Sequence, residues 1–124
     1  LPATVVALAH MVHLTLRVCD ILAKEGVSIE VIDPRTLSPL DIGTILASVH
    51  KTGRLLVVDE DYSPYGAGAE IAAQVVAQGF DDLDAPVMRL NGVFAPVPYS
   101  PPLEAAMVPT VGSIARAIRD LLAE

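Results

Sequence analysis

The sequence predicts an α/β fold in which a parallel β-sheet carries helices on both faces. First, short apolar runs rich in β-branched residues alternate with segments of helical periodicity. Second, the 124 residues suit one domain over residues 1–124, with no internal repeat or linker. Third, the chain is 52% hydrophobic and 19% charged, with a mean hydropathy of +0.52. So much apolar material indicates a sheet buried on both faces, or a surface that lies against a partner.

The first quarter of the chain predicts a strand, a helix and a second strand. Residues 4–9 form a continuous apolar run that is typical of a buried strand. Over residues 11–24, polar and apolar side chains separate into two stripes at helical spacing. Gly26 is expected to end this helix, and residues 27–32 form the second strand.

A second helix and a third strand follow a turn at residues 33–36. Ser38 is suited to the N-cap of the helix and Pro39 to its first position. The helix is expected to end at residues 51–53, where a glycine stands. Residues 55–58 form a third apolar strand.

The remaining elements continue the alternation. A helix is predicted near residues 69–78, an acidic link at residues 81–86 and a fourth strand at residues 87–90. The five prolines of residues 91–109 indicate an extended crossing segment. Thr110 is expected to cap a last helix. Its inward apolar residues are Val111, Ile114, Ile118, Leu121 and Leu122.

The charge balance and the ends of the chain limit the possible partners. Eight basic and fifteen acidic residues give a formal charge of -7, without a basic stripe for nucleic acid or a basic amphipathic segment for a membrane surface. No apolar run approaches the roughly 18 residues of a membrane span. Cys19 is the only cysteine, so no internal disulfide forms and a cytosolic or matrix-like compartment fits best. Because the start has no methionine and no signal-peptide pattern, we expect a piece of a longer protein.

Gly66 and Gly68 lie before the predicted third helix, where a helix N-terminus could hold a phosphate. A dinucleotide fingerprint would need a third glycine where Ile71 stands. The nearby acids of residues 59–61 would repel phosphate. We therefore interpret the two glycines as allowing a tight turn and close packing of the helix on the sheet.

The histidines do not complete a metal site. His10 and His13 are three residues apart, but their segment contains no third ligand of the usual types. We expect a structural role for His10 at a strand end and solvation for His13. His50 is expected to interact favourably with the C-terminal dipole of its helix.

No self-sufficient active site follows from the other reactive residues. Cys19 lies beside the apolar stripe of its helix and is expected to be buried and inert. Asp59, Glu60 and Asp61 have carboxylates suited to acid–base chemistry, but no nucleophile, metal set or basic group accompanies them. A charged loop with capping roles is the preferred interpretation.

Several stretches, in the same order and at compatible spacing, resemble the β subunits of thiamine-diphosphate-dependent 2-oxo acid dehydrogenases. The stretches are VIDPRTLSPLD at residues 31–41, KTGRLLVVDE at residues 51–60, GAGAEIA at residues 66–72, DAPVMRL at residues 84–90 and PVPYSPPLE at residues 96–104. The similarity extends over residues 4–122. Residues 91–95 depart from the common pattern of the family, which leaves the particular complex open.

The resemblance implies the C-terminal, transketolase-like domain of a β subunit in a pyruvate, branched-chain 2-oxo acid or acetoin dehydrogenase complex. The family fold is a three-layer α/β/α arrangement, similar to flavodoxin, with parallel strands in the order 2-1-3-4. An extra antiparallel edge strand normally precedes the first strand found here. The implied location is the cytoplasm of a bacterium or the mitochondrial matrix of a eukaryote.

The resemblance also implies what this domain lacks. In the family, thiamine diphosphate and Mg²⁺ bind between the α subunit and the N-terminal domain of the β subunit, so no cofactor, metal or catalytic residue is expected in this chain. The isolated domain is expected to be inactive, whereas the α2β2 enzyme is an oxidoreductase that passes an acyl group to lipoyl.

The implied role is assembly. The partners are a second β subunit, the α subunit and the subunit-binding domain of a dihydrolipoyl acyltransferase, which offers basic residues. Asp81, Asp82 and Asp84 are the acids expected to receive them, since charge complementarity steers docking. A solvated acidic turn is the alternative interpretation of these residues.

A second hypothesis is a free-standing flavodoxin-like domain that binds a small molecule. Open parallel sheets bind ligands beyond the carboxyl ends of their strands. Asp33, Arg35 and the loop at residues 59–68 lie at such ends in the predicted order.

Overall fold

In the computed structural model, residues 2–8, 11–34, 42–59, 67–90 and 109–123 are described. Strands and helices alternate along the chain, as the periodicities predict. The strands are β1 (Ala3–Ala7), β2 (Ile29–Ile32), β3 (Leu55–Val58) and β4 (Met88–Leu90). The helices are α1 (Met11–Ala23), α2 (Ile42–Thr52), α3 (Ala67–Gly79) and α4 (Val111–Ala123), with a short 3-10 helix at Phe80–Asp82.

The four strands form a parallel sheet in the order β2-β1-β3-β4. Val5 of β1 pairs with Val31 on one side and with Leu56 on the other. On the far side of β3, Val57 pairs with Arg89. The expected parallel α/β fold and its strand order are therefore confirmed.

Alternate residues of the central strands point into two separate cores. On one face, Val5 and Leu56 pack with residues of α1 and α4 such as Val18 and Ile118. On the other face, Val6, Leu55 and Val57 pack with residues of α2 and α3. Because β1 and β3 are buried on both sides, their sequences are almost wholly apolar. The high hydrophobic content is thus explained in part by a doubly covered sheet.

The glycines predicted to end the first two helices and the residue predicted to cap the last one agree with the structure. Gly26 and Gly53 follow α1 and α2 with φ angles of 81° and 74°, a left-handed conformation that favours glycine. At the start of α4, the Ser113 amide donates to Thr110 Oγ1 over 3.1 Å, and the Thr110 amide donates to Ser113 Oγ over 2.8 Å. This reciprocal arrangement confirms Thr110 as the cap.

Some boundaries differ from the predicted ones. The amide of Val27 donates to the carbonyl of Leu22 over 3.0 Å and so closes the end of α1, which is why β2 begins at Ile29 rather than at residue 27. Helix α3 begins two residues earlier than expected, at Ala67. The predicted start of the second helix at Ser38 and Pro39 lies outside the described residues, as does most of residues 91–109.

A buried hydroxyl cluster joins β1 to α2. The Thr4 hydroxyl lies 2.6 Å from Ser48 Oγ and 2.8 Å from Thr52 Oγ1. Thr52 in turn donates to the carbonyl of Arg54 over 3.1 Å. Thr4, Ser48 and Thr52 are all buried. None of the described helices is both long and apolar enough to cross a membrane.

Candidate interaction surface

The three acids singled out from the sequence lie in one turn, between the end of α3 and the start of β4. Helix α3 ends at Gly79, where an added Cβ would come within 2.8 Å of Leu46 Cδ2. The absence of a side chain therefore allows the end of α3 to pack closely on α2. The 3-10 helix follows at once, and the amide of Leu83 donates to the carbonyl of Phe80 over 3.1 Å. Backbone hydrogen bonds thus hold the turn in part.

Asp84 is fixed against the end of α2. Its amide donates to the carbonyl of Gly53 over 2.7 Å. A Cβ on Gly53 would lie 2.8 Å from Asp84 Cγ and would overlap the carboxylate. The glycine therefore provides both the left-handed backbone and the space that Asp84 occupies. The Asp84 side chain nevertheless remains exposed at the surface.

Asp82 pairs with a histidine on α2. His50 Nδ1 lies 3.0 Å from Asp82 Oδ1, and both side chains are accessible to solvent. The sequence predicts for His50 only an interaction with the helix dipole, whereas the structure adds this contact with the acidic turn. The pair was missed because its two members are 32 residues apart in the chain.

Asp81 is the third acid and differs from the other two. It is exposed, and its carboxylate makes no hydrogen bond or ion pair within the described parts of the chain. The structure therefore brings the three predicted acids into one turn, where each has different contacts. Asp82 is paired, Asp84 is anchored through its backbone, and Asp81 is solvated.

An open apolar groove, here called the Phe80 groove, lies beside this turn. It has a volume of about 880 Å³, in the range of ligand-binding clefts. Phe80 is 68% exposed and Val76 is 44% exposed. Its lining residues include Ala73, Val76, Phe80, Leu83, Pro86 and Val87, together with Asp84. Large apolar side chains exposed together in this way mark surfaces that contact a partner.

Helix α3 explains why the groove is apolar. Its buried side carries Ile71 and Val75, which pack on the sheet. A second apolar stripe, Ala72, Val76 and Phe80, recurs every four residues on another side of the same helical segment and lines the groove. This second stripe is visible in the sequence, but periodicity alone does not separate it from the stripe that faces the core.

Two further large apolar side chains are exposed on α1, which covers the opposite face of the sheet. Leu16 and Ile21 are 47% and 43% exposed. At the end of this helix, Glu25 forms a 2.8 Å ion pair with Arg119 of α4.

Gly68 at the start of α3 and Asp59 at the end of β3 pack against each other. Asp59 is buried at the end of β3. An added Cβ on Gly68 would lie 3.1 Å from Asp59 Oδ2 and 3.3 Å from Val57 Cγ1, which supports the interpretation of close helix–sheet packing. A carboxylate in this position also disfavours a bound phosphate. Glu60, Asp61 and Gly66 lie outside the described residues.

The remaining candidates do not assemble into a reactive centre. His13 is exposed on α1. Cys19 is half-buried, and burial, with a smaller effect of Asp20, raises the pKa of its thiol. Raising the pKa lowers the fraction of reactive thiolate, in keeping with an inert cysteine. His10 lies outside the described residues, and the described ranges contain no group of three or more residues of the His, Cys, Asp and Glu types that could hold a metal.

The carboxyl ends of the strands were the basis of the small-molecule hypothesis. Asp33 follows β2 and is partly buried, while Asp59 follows β3. Strand β1 separates β2 from β3 in the sheet. Arg35 lies outside the described residues. Of this hypothesis, the described residues thus contain Asp33 and Asp59, but neither Arg35 nor most of the loop at residues 59–68.

Comparison with known proteins gives a consistent result. Residues 2–114 match the family described as "Transketolase, C-terminal domain". The chain is 47% identical over 116 residues to a mitochondrial pyruvate dehydrogenase E1 component subunit beta-2 of Oryza sativa, which covers 94% of this chain and 31% of the relative. It is 44% identical to an acetoin:2,6-dichlorophenolindophenol oxidoreductase subunit beta of Cupriavidus necator, over 94% of this chain and 34% of the relative.

A bacterial pyruvate dehydrogenase E1 component subunit beta, from Rickettsia bellii, is 43% identical over 94% of this chain and 36% of the relative. The chain therefore spans about a third of the length of the relatives it matches. Among solved structures, one described as "Split gene transketolase, inactive beta4 tetramer" has a TM-score of 0.80 at 23% identity. It covers 98% of this chain and 39% of that one, and the similarity concerns the fold.

Proposed function

The chain belongs to the transketolase C-terminal domain family, and from this we propose that it is the C-terminal domain of the β subunit of a thiamine-diphosphate-dependent 2-oxo acid dehydrogenase. The observation that carries the proposal is its identity of 43–47% to the three β subunits described above, over 94% of its length. Residues 1–124 then form a single such domain within a longer subunit. The relatives include mitochondrial and bacterial proteins, so the proposed location is the matrix or the bacterial cytoplasm.

The activity belongs to the complete α2β2 enzyme in this proposal. Thiamine diphosphate with Mg²⁺ supplies the chemistry of 2-oxo acid decarboxylation or acetoin cleavage, and the acyl group passes to lipoyl. In this proposal the cofactor binds outside this domain, which is supported by the buried carboxylate of Asp59 beside the start of α3, where it would repel a diphosphate. No catalytic step is therefore assigned to this chain.

Assembly is the proposed role of the domain itself. The partners are a second β subunit, the α subunit and the subunit-binding domain of a dihydrolipoyl acyltransferase. The turn that contains Asp81, Asp82 and Asp84 supports docking of a basic partner, because its backbone is held against α2 by the Gly53–Asp84 hydrogen bond. Acids on a fixed turn complement a basic surface at lower entropic cost than acids on a mobile loop.

The experiment compares binding of the subunit-binding domain to the complete enzyme and to charge-reversed variants by isothermal titration calorimetry. Replacing Asp81→Lys and Asp84→Lys together is expected to weaken binding at least tenfold at low salt. Asp120→Lys on α4 is the control, since Asp120 is also exposed and lies in a different part of the molecule. Equal binding of the wild type and the double variant would reject this docking surface.

The second candidate function is that of a free-standing flavodoxin-like domain that binds a small molecule. It is supported by Asp33 and Asp59. These residues follow β2 and β3, the two strands on either side of β1, at the carboxyl edge of the sheet. A thermal-shift screen with flavins and nucleotides tests it. Stabilisation of the protein by one of these ligands would favour this candidate, and an unchanged melting temperature with all of them would count against it.

A further inference from the structure

We propose that the Phe80 groove receives a large apolar side chain of the docking partner, carried next to the Lys or Arg residues that reach Asp81 and Asp84. This inference rests on the proposed docking function and adds a contact of a different kind to it. In this arrangement the apolar contact holds the complex together, while the acids guide and orient the partner.

The exposure of the groove residues is the first argument. Phe80 and Val76 are large apolar side chains that are exposed, and both line the groove. Phe80 begins the 3-10 helix that also contains Asp81 and Asp82, so the aromatic ring and these two acids belong to one short element. If the acidic turn were only solvated, nothing in its structure would require an aromatic residue at position 80. Aromatic side chains at the centre of an interface commonly contribute most to binding.

The charges around the groove identify the occupant. A second copy of this chain would bring the same acidic turn and a formal charge of -7 toward the first, which like-charge repulsion opposes. A neutral small molecule would fill the groove without any interaction with Asp81. A basic polypeptide segment with an apolar side chain complements both features at once.

The three acids are expected to contribute unequally. His50 already contacts Asp82, so a partner cation must compete with the imidazole for this carboxylate. Asp81 makes no such contact among the described residues, and Asp84 is exposed and lines the groove. The partner's basic groups should therefore reach Asp81 and Asp84 first.

The test measures the affinity and dissociation rate of the subunit-binding domain on the complete enzyme by surface plasmon resonance. Phe80→Ala is expected to weaken binding about tenfold or more, mainly through faster dissociation. Phe80→Leu should recover part of the affinity, because it restores an apolar side chain. Leu16→Ala on α1 is the matched control, since Leu16 is also a large exposed apolar side chain but lies on a helix that covers the opposite face of the sheet, and its replacement should leave binding unchanged.

Salt separates the two kinds of contact. Asp81→Asn with Asp84→Asn should slow association at low ionic strength and have little effect in 1 M NaCl, whereas Phe80→Ala should weaken binding under both conditions. Melting temperatures of all variants establish that each is folded, which is expected because Phe80 and Leu16 are exposed.

Three outcomes would overturn the inference. Wild-type enzyme that does not bind the subunit-binding domain would reject the docking function together with the groove. Binding that Phe80→Ala leaves unchanged would reject the groove alone and leave the docking function in place. If light scattering shows that Phe80→Ala dissociates the enzyme, the groove is a contact between its own subunits and not a docking site.

Discussion

The amide of Asp84 donates a 2.7 Å hydrogen bond to the carbonyl of Gly53, and the Asp84 carboxylate fills the space that a side chain at position 53 would need. This contact joins the acidic turn to the end of α2. Gly53 therefore ends a helix and also positions a surface that lies far from it in the sequence.

Gly53→Ala is expected to lower the free energy of unfolding by about 2 kcal/mol or more. Alanine at a φ of 74° costs about 1–2 kcal/mol, and its Cβ would also displace Asp84. Gly26→Ala is the control, since Gly26 has a φ of 81° with no atom near the site of the added Cβ, and should cost only the backbone term. Urea unfolding of both variants measures the difference, and equal losses would contradict the role of Asp84.

Thr4→Val is expected to destabilise the protein by about 1–3 kcal/mol, because it removes two buried hydrogen bonds to Ser48 and Thr52 without changing the volume. Thr15→Val is the control. The Thr15 hydroxyl is buried without a hydrogen-bond partner in the described structure, so this change should be neutral or stabilising. Thermal unfolding of the two variants at one pH gives the comparison, and a Thr15→Val loss as large as that of Thr4→Val would refute it.

Glu30 should make a small contribution to stability that depends on pH. Hydrogen bonds from Lys51 and Ser48 hold the pKa of the Glu30 carboxyl below its ordinary value of 4.5. Because the pKa is lower in the folded state, the stabilisation is present above pH 4.5 and is lost as the pH falls through the folded-state pKa. Glu30→Gln should therefore reduce the dependence of the free energy of unfolding on pH below 4.5. Identical slopes for the wild type and the variant in that range would exclude this contribution.

Cys19 should react slowly with Ellman's reagent at neutral pH in the folded protein, because burial and Asp20 raise the pKa of its thiol. A cysteine placed at exposed position 13 of the same helix, as His13→Cys in a Cys19→Ser background, should react much faster. Stopped-flow absorbance measures both rates. Similar rates would show that Cys19 is accessible as a thiolate.

His50→Ala should release Asp82 for an incoming basic partner. Since the pair is exposed, we expect a change in unfolding free energy below about 1 kcal/mol. Association with the subunit-binding domain should become a few times faster at low ionic strength, and this gain should disappear at high salt. Slower association would show that His50 itself contributes to docking.

The sequence was sufficient wherever the determining interactions are local. The wholly apolar run of β3 indicates a strand buried on both faces, and Gly26, Gly53 and Thr110 mark helix ends through their own backbone and side-chain chemistry. The order of the strands came from family resemblance, and the structure confirms it. The acidic composition of residues 81–84 was equally visible, but nothing in it distinguishes one aspartate from another.

Only the tertiary structure decided how these acids differ and what lies beside them. Helices α2 and α3 pack on the same face of the sheet, which brings His50 to Asp82 and Gly53 to Asp84. The same packing buries one apolar stripe of α3 and leaves Val76 and Phe80 exposed. The sequence shows that a side chain is apolar, but whether it is buried depends on which distant segment packs against it. Burial is therefore decided by the tertiary structure.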